Sequence, residues 1–428
     1  MKYEYELDQR PTLLKSFLFG MQWAAIAISL IIILGKVAGS MHFREPEDLI
    51  VYLQKMFFLT GATLFCQVLW GHRLPIICGP ATVLLIGIIA SQSFEINVIY
   101  SSIMVGGLII ALFAVSGIFS YLQRLFTKRV VATVLMLIAF TLAPTILKLV
   151  TDLKSGVEPL SNLSFAISLV FVMFLLNRFL AGVWKSTLII WAMILGSVTY
   201  LLLFPGAETR SIFAQTDLFS GFFSRLTFRL SFEPGVLISF IFCFLALSIN
   251  DLGSIQSMIT LLDLKETGKR ITRGITVTGL ANIAAGFFGV LGTVNFSLSP
   301  GVIASTGCAS RFALIPASAI IGLLAFFPAA IGIIAYVPSV VIGCVLIYIL
   351  SSQIAAGLVV AFQGEGKDRF DINGGLAIGL PVLLGTVVAF LPGTVIDTFP
   401  LALKPILGNG FVVGVAAALA LEHVIFKR

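Results

Sequence analysis

The chain has 428 residues, 58% of them hydrophobic and 11% charged, with a formal charge of +7 and a mean hydropathy of +1.07. Soluble globular chains carry about 25% charged residues, so a soluble enzyme is excluded, and 37 Phe at low charge density exclude disorder. The composition fits an all-α polytopic membrane protein, because a bilayer-spanning helix needs roughly 20 mostly apolar residues.

Residues 1–15 form a polar, acidic lead-in without the pattern of a cleavable signal. Apolar runs bounded by Gly, Pro or charge then predict spans at 16–36, 49–70, 74–91, 97–121, 130–150, 164–183 and 186–204. A polar, amphipathic stretch follows, of a kind that can lie on a membrane surface. A second set is predicted at 234–261, 272–292, 296–310, 312–335, 337–360, 372–391 and 399–425. With the N-terminus in the cytosol, the inner loops hold more than twice as many Lys and Arg as the outer ones, where Lys36 is placed. That bias predicts both termini cytoplasmic and explains the positive charge without nucleic acid. Fourteen transmembrane segments in two sets of seven predict two inverted repeats. They are a first repeat over 1–205, an extracytoplasmic linker over 206–233 and a second repeat over 234–428.

Cys66, Cys78, Cys243, Cys308 and Cys344 all lie in apolar stretches without a CxxC pair, and read as buried free thiols. His42, His72 and His423 fall at span ends or in loops, which predicts no buried His for a proton relay. No metal spacing, phosphate loop or nucleophile–base pair appears, so no cofactor, no metal and no enzyme activity are expected.

Where, then, would a solute bind? The third and tenth spans are short and interrupted. One reads Leu74-Pro75-Ile76-Ile77-Cys78-Gly79-Pro80-Ala81-Thr82; the other reads Thr293-Val294-Asn295-Phe296-Ser297-Leu298-Ser299-Pro300-Gly301. Each has an extended stretch, a Pro beside a Gly, and an apolar helical run. Each therefore predicts a short strand joined to a half-helix, with Pro tolerated in a first helical turn and Val294 to Ser299 alternating as a strand does. Two half-helix N-termini would point N–H groups at a shared cavity. The competing reading is two Pro-kinked structural helices.

Asp251 is the one carboxylate well inside an apolar span. Burying it costs roughly 3 kcal/mol on the milder scales, so it is a candidate for solute binding or proton coupling. It equally fits a hydrogen bond to Ser or Asn on a neighbouring helix, or a place near the cytosolic mouth. Asn250 and Ser254 share a helix face beside it. Gln22, in the first span, reads as a hydrogen bond between helices.

These residues resemble the nucleobase–ascorbate transporter family, the uracil/xanthine permeases. The resemblance rests on Gln9-Arg10-Pro11-Thr12-Leu13-Leu14 followed by Gln22, on Gly286-Phe287-Phe288-Gly289, and on Gly301, Thr306 and Gly307 within the family signature. The departures are specific. Leu298 stands where the family has an acidic or amide substrate-binding residue, and Ser299 where it has Asn. Asn250 stands at its eighth-span glutamate, Ser254 at the polar position linked to proton coupling, and Pro80-Ala81-Thr82 at its Ser-Ser-Phe. Gly253 is shared.

The resemblance implies a secondary active transporter of a nucleobase with H+ or another cation, in an inner (plasma) membrane, with core and gate domains in elevator-type motion and a homodimer among its assemblies. The site would comprise Gly79, Pro80, Ala81, Thr82, Asn250, Ser297, Leu298, Ser299 and Gly301. Asp251 would couple protons, and Gln22, Ser254 and Thr306 would support. A small-anion transporter on the same fold is the alternative. A channel or a non-transporting membrane protein is less well served by the residues.

Overall fold

The computed structural model describes residues 3–118, 125–152, 156–205, 217–223, 229–265, 267–362 and 372–426. Most of the expected linker, 206–216 and 224–228, lies outside them. The first group of elements is α1 (Leu13–His42), α2 (Pro46–Leu69), β1 (Cys78–Pro80), α3 (Thr82–Ala90) and α4 (Ile96–Ser116). Then come α5 (Lys128–Thr141), α6 (Ala143–Val150), α7 (Pro159–Phe179), α8 (Gly182–Ser186) and α9 (Leu188–Leu203). The second group is α10 (Pro234–Leu261), α11 (Thr267–Phe288), β2 (Thr293–Asn295), α12 (Ser299–Thr306), α13 (Leu314–Leu324) and α14 (Pro328–Ile334). Last are α15 (Ser339–Phe362), α16 (Ile372–Ala389) and α17 (Gly410–Ala420).

Eight helices among the described residues are long and apolar enough to cross a membrane, counting α5 with α6 as one. The expected span 312–335 is instead two helices bent by 104°. The bend falls at Phe327, whose non-helical backbone (φ −117°, ψ 75°) suits the residue before Pro328. Pro144 likewise opens α6 after a break at Leu142. The expected third and tenth spans are strand plus half-helix. At about 1.5 Å per residue, neither α3 nor α12 could cross a hydrocarbon core of about 30 Å alone.

The helices fall into two packed groups. α1, α2 and α4 pack against α10, α11 and α13, while α5 and α6 pack with α15, α16 and α17. Much of α7, α15 and α16 faces outward. The tightest seam joins α4 to α11. A Cβ on Gly107 would lie 2.7 Å from the Gly279 carbonyl oxygen, and one on Gly286 2.6 Å from the Tyr100 carbonyl oxygen. Gly107→Val should therefore force these helices apart at a cost of about 1–3 kcal/mol, read as a lower melting temperature in detergent; an unchanged melt would mean the seam is loose.

Two expectations about local placement change. Lys36 is within α1, not in an outer loop, and its ammonium donates to the carbonyls of Ala335 and Val337 at 2.8 Å each. The N-terminal lead-in is docked on the bundle. Glu4 N–H donates to Gly307 (2.8 Å), Ala309 N–H to Tyr5 (2.9 Å) and Arg311 N–H to Leu7 (3.0 Å).

Candidate functional site

The two broken segments meet directly. β1 and β2 pair antiparallel, with Cys78 opposite Asn295, Gly79 opposite Val294 and Pro80 opposite Thr293. The ladder extends through Phe296 N–H to the Ile77 carbonyl (2.9 Å) and Ala81 N–H to the Gly292 carbonyl (2.8 Å). Pro80 fits because the strand is short and lies at an edge. Gly79 leaves room for the Phe296 ring, whose edge a Cβ there would meet at 2.6 Å and push aside. β2 is shorter than the expected alternation, because the chain turns at Ser297 and Leu298 to enter α12.

Neither α3 nor α12 has a side-chain N-cap. Among the described residues, the N–H groups of Thr82, Val83, Ser297 and Leu298 donate to no protein group. Those of Ser299 and Gly301 turn back onto Phe296 and Leu298, and Pro300 has none. The exposed amides of the second segment thus precede its helix rather than open it. Ser297, Leu298 and Gly301 are exposed and Thr82 and Asn250 half-buried, while Gly79, Pro80, Ala81 and Ser299 are buried. A Cβ on Gly253 or Gly301 would meet nothing within 4 Å. Asn250 and Gly253, three apart on α10, therefore share an open face.

Asp251 lies on the other side of α10 and faces the back of β2. Its Oδ1 accepts the backbone N–H of Asn295 at 3.0 Å and the Asn295 side-chain amide at 2.6 Å, and its Oδ2 accepts the Thr278 hydroxyl at 2.8 Å. Of the alternatives open in the sequence, the hydrogen bond to a neighbouring polar residue is the one formed. The partner is a strand rather than a helix, and no contact places Asp251 in the open face. Ser254 donates to the Asn295 carbonyl at 3.0 Å, so positions 251 and 254 of α10 both grip β2. Ser299 Oγ accepts Ile77 N–H at 3.1 Å and holds the two segments together from the α12 side. Thr306 closes the far end of α12 through Val302 and Cys308. Gln22 is buried in α1, which packs on β1.

The sequence reading missed the rest of this network. His72, expected at a span end without burial, is fully buried. Its Nδ1 accepts Leu74 N–H at 2.9 Å, so the proton is on Nε2, which donates to Asn295 Oδ1 at 3.2 Å. This fixes the Asn295 amide with its NH2 toward Asp251. His72 lies in the connection between α2 and β1, and burial pushes its imidazole down to about 3, which keeps the ring neutral. Gln67 donates to Thr278 Oγ1 (3.0 Å) and to the Gly274 carbonyl (2.9 Å). Asn282 donates to the Thr293 carbonyl (2.9 Å). Thr278 and Asn282, four apart on α11, form a polar stripe in an otherwise small-residue face, and that spacing was the available signal.

The family model Xan_ur_permease, described as "Permease family", matches residues 14–394. A putative purine permease of Clostridium perfringens is 26% identical over 306 residues, covering 71% of this chain and 66% of the relative's length. A nucleobase transporter of Paenibacillus larvae is 25% identical over 409 residues, covering 92% of this chain and 90% of that protein. Among solved structures, the transmembrane domain of a cyanobacterial bicarbonate transporter, BicA, is similar in fold. It has a TM-score of 0.63 at 16% identity and covers 90% of this chain and 99% of that one. An integral membrane chain with apolar spans, two crossing broken segments and a family match over most of its length belongs to the xanthine/uracil permease family, the nucleobase–ascorbate transporters.

Proposed function

We propose that the chain is a secondary active transporter of nucleobases, of the uracil/xanthine type, coupled to protons. The observation that carries this reading is the pairing of two broken segments whose N–H groups at Thr82, Val83, Ser297 and Leu298 are left for a solute. The names of the purine and nucleobase relatives support it. In this reading the fourteen crossings form two inverted repeats, 1–205 and 234–428, joined by the 206–233 linker. Elements α1–α4 and α10–α14 form a core, and α5–α9 with α15–α17 form a gate past which the core moves as an elevator. The protein lies in the inner membrane with both termini cytoplasmic, and a homodimer is compatible with its outward-facing gate helices.

A planar base lies against the segment tips. Its ring carbonyls accept the free N–H groups, and the Asn250 amide offers a donor–acceptor pair to a ring edge. Ser297, Leu298 and Gly301 flank it from α12, and Gly79 to Ala81 shape the floor from behind. Leu298 contributes an apolar contact where a carboxylate or amide would otherwise grip the base. Asp251 acts at one remove, through its bonds to Asn295, by holding or releasing the strand that carries Ser297 and Leu298.

Radiolabelled uracil, xanthine or hypoxanthine should accumulate in proteoliposomes under an inward pH gradient. Gly253→Leu, which projects into open space and improves helix propensity, should lower that uptake at least tenfold while the protein stays folded. Failure of every base to enter would end the nucleobase reading. A small-anion substrate is the second reading, favoured by one observation: no site residue facing the open side carries a carboxylate. Bicarbonate uptake without any base uptake would establish it.

A further inference from the structure

The Gly286–Gly289 motif has no part in the strand crossing. It forms one wall of a separate cavity of about 380 Å³, in the range of ligand-sized pockets. The cavity lies where α1 ends and α2, α4 and the segment before α10 begin. That is the end of the bundle opposite His72 and Arg270, since α1 and α2 run antiparallel. Gly289 takes a left-handed conformation (φ 67°) that turns the chain away from α11. Gly286 lets that turn lie directly on the Tyr100 backbone.

Aromatic rings of Phe43 and Phe288 line the cavity, with Tyr52 and Tyr100 at its buried end. Lys55 and Arg229 bring two positive charges to it against the single carboxylate of Asp48. Arg229 is placed by its neighbour two residues on, where Ser231 N–H donates to Ser101 Oγ at 3.1 Å. The Tyr52 hydroxyl accepts both Leu291 N–H (3.0 Å) and the Tyr100 hydroxyl (3.2 Å). The bond between the two hydroxyls uses one of their two protons, and the other has no acceptor among the described residues, although Tyr52 and Tyr100 are both buried. A buried donor left in this way is costly unless something in the cavity accepts it.

We propose that this cavity is a second solute site, separate from the strand crossing, for a planar organic anion of the class of an ionised oxopurine. Flat walls take the ring, the spare hydroxyl proton of the Tyr52–Tyr100 pair goes to a ring oxygen, and Arg229 supplies the countercharge. The ligand class rests on the nucleobase reading above; the site does not. Tyr52 also holds Leu291, two residues before β2, so occupancy here bears on the strand that carries Ser297 and Leu298.

The test is equilibrium binding of radiolabelled urate, at a pH where it is an anion, to the full-length protein in nanodiscs. Wild type should bind two equivalents. Gly253→Leu, which fills the central site, should bind one. Adding Arg229→Ala to Gly253→Leu should weaken the remaining site at least tenfold, and Arg229→Lys should restore part of it. One equivalent in wild type and none in Gly253→Leu would overturn the second site and leave the transport reading intact. One equivalent in both, lost with Arg229→Ala, would uphold the second site and count against the central one. Binding by neither protein would overturn the second site outright.

Discussion

Asn295→Leu should be the most damaging single substitution in the crossing. It removes the 2.6 Å bond to Asp251 Oδ1 and leaves the His72 Nε2–H without its acceptor. A hydrogen bond to a charged group contributes about 1.5–3 kcal/mol, and an orphaned buried donor costs about 1–3 kcal/mol. The combined loss is on the order of 3–5 kcal/mol, the range seen when one partner of a buried charge is removed. Size-exclusion profiles after heating should show a melting temperature lowered by many degrees, together with loss of uptake. Adding Asp251→Leu should not recover the stability, because it takes away the acceptor of the 295 backbone N–H and of the Thr278 hydroxyl and leaves the His72 donor still unpaired. Uptake should not return. A melt for Asn295→Leu close to wild type would mean that the network does not hold the strands.

Asp251→Asn should separate coupling from folding. An asparagine at 251 can still accept both Asn295 N–H donors on its Oδ1, and its new amide can donate to Thr278 Oγ1, which turns its own hydroxyl elsewhere. Stability should therefore change little while the titratable charge disappears. Accumulation driven by a pH gradient should fall at least tenfold, whereas exchange of labelled for unlabelled base across the same vesicles should persist. Unchanged accumulation in this variant would remove Asp251 from the coupling step.

The features most legible in the sequence were those set by local chemistry. Pro80 beside Gly79 and Pro300 beside Gly301 marked both breaks, because proline is tolerated at the end of a short edge strand and in a first helical turn. Pro234 placed the start of α10 at the residue expected. The family was legible for the same reason, in short runs whose residue types are fixed by position. What stayed hidden depends on tertiary cover. His72 is near a helix end in sequence, yet Asn295, Gly274 and the β1 connection close over it. Lys36 looked like a loop residue because a lone ammonium belongs in water, but the carbonyls following α14 solvate it instead. Asp251 was found by its cost, and its direction was not, since a carboxylate inside a helix signals that a partner exists without saying on which side.

The glycine seam between α4 and α11 has a mechanical consequence. Where backbones touch at Gly107, Gly279 and Gly286, there are no side chains to swap rotamers and let one rod slip along the other. These two helices form a single stiff keel, and Asn282 and the Tyr52–Tyr100 pair, about one helical turn apart along it, fasten it to β2 and to Leu291 just before the strand. Any displacement of the strand must carry that keel with it, so the crossing and its two long helices travel as one body.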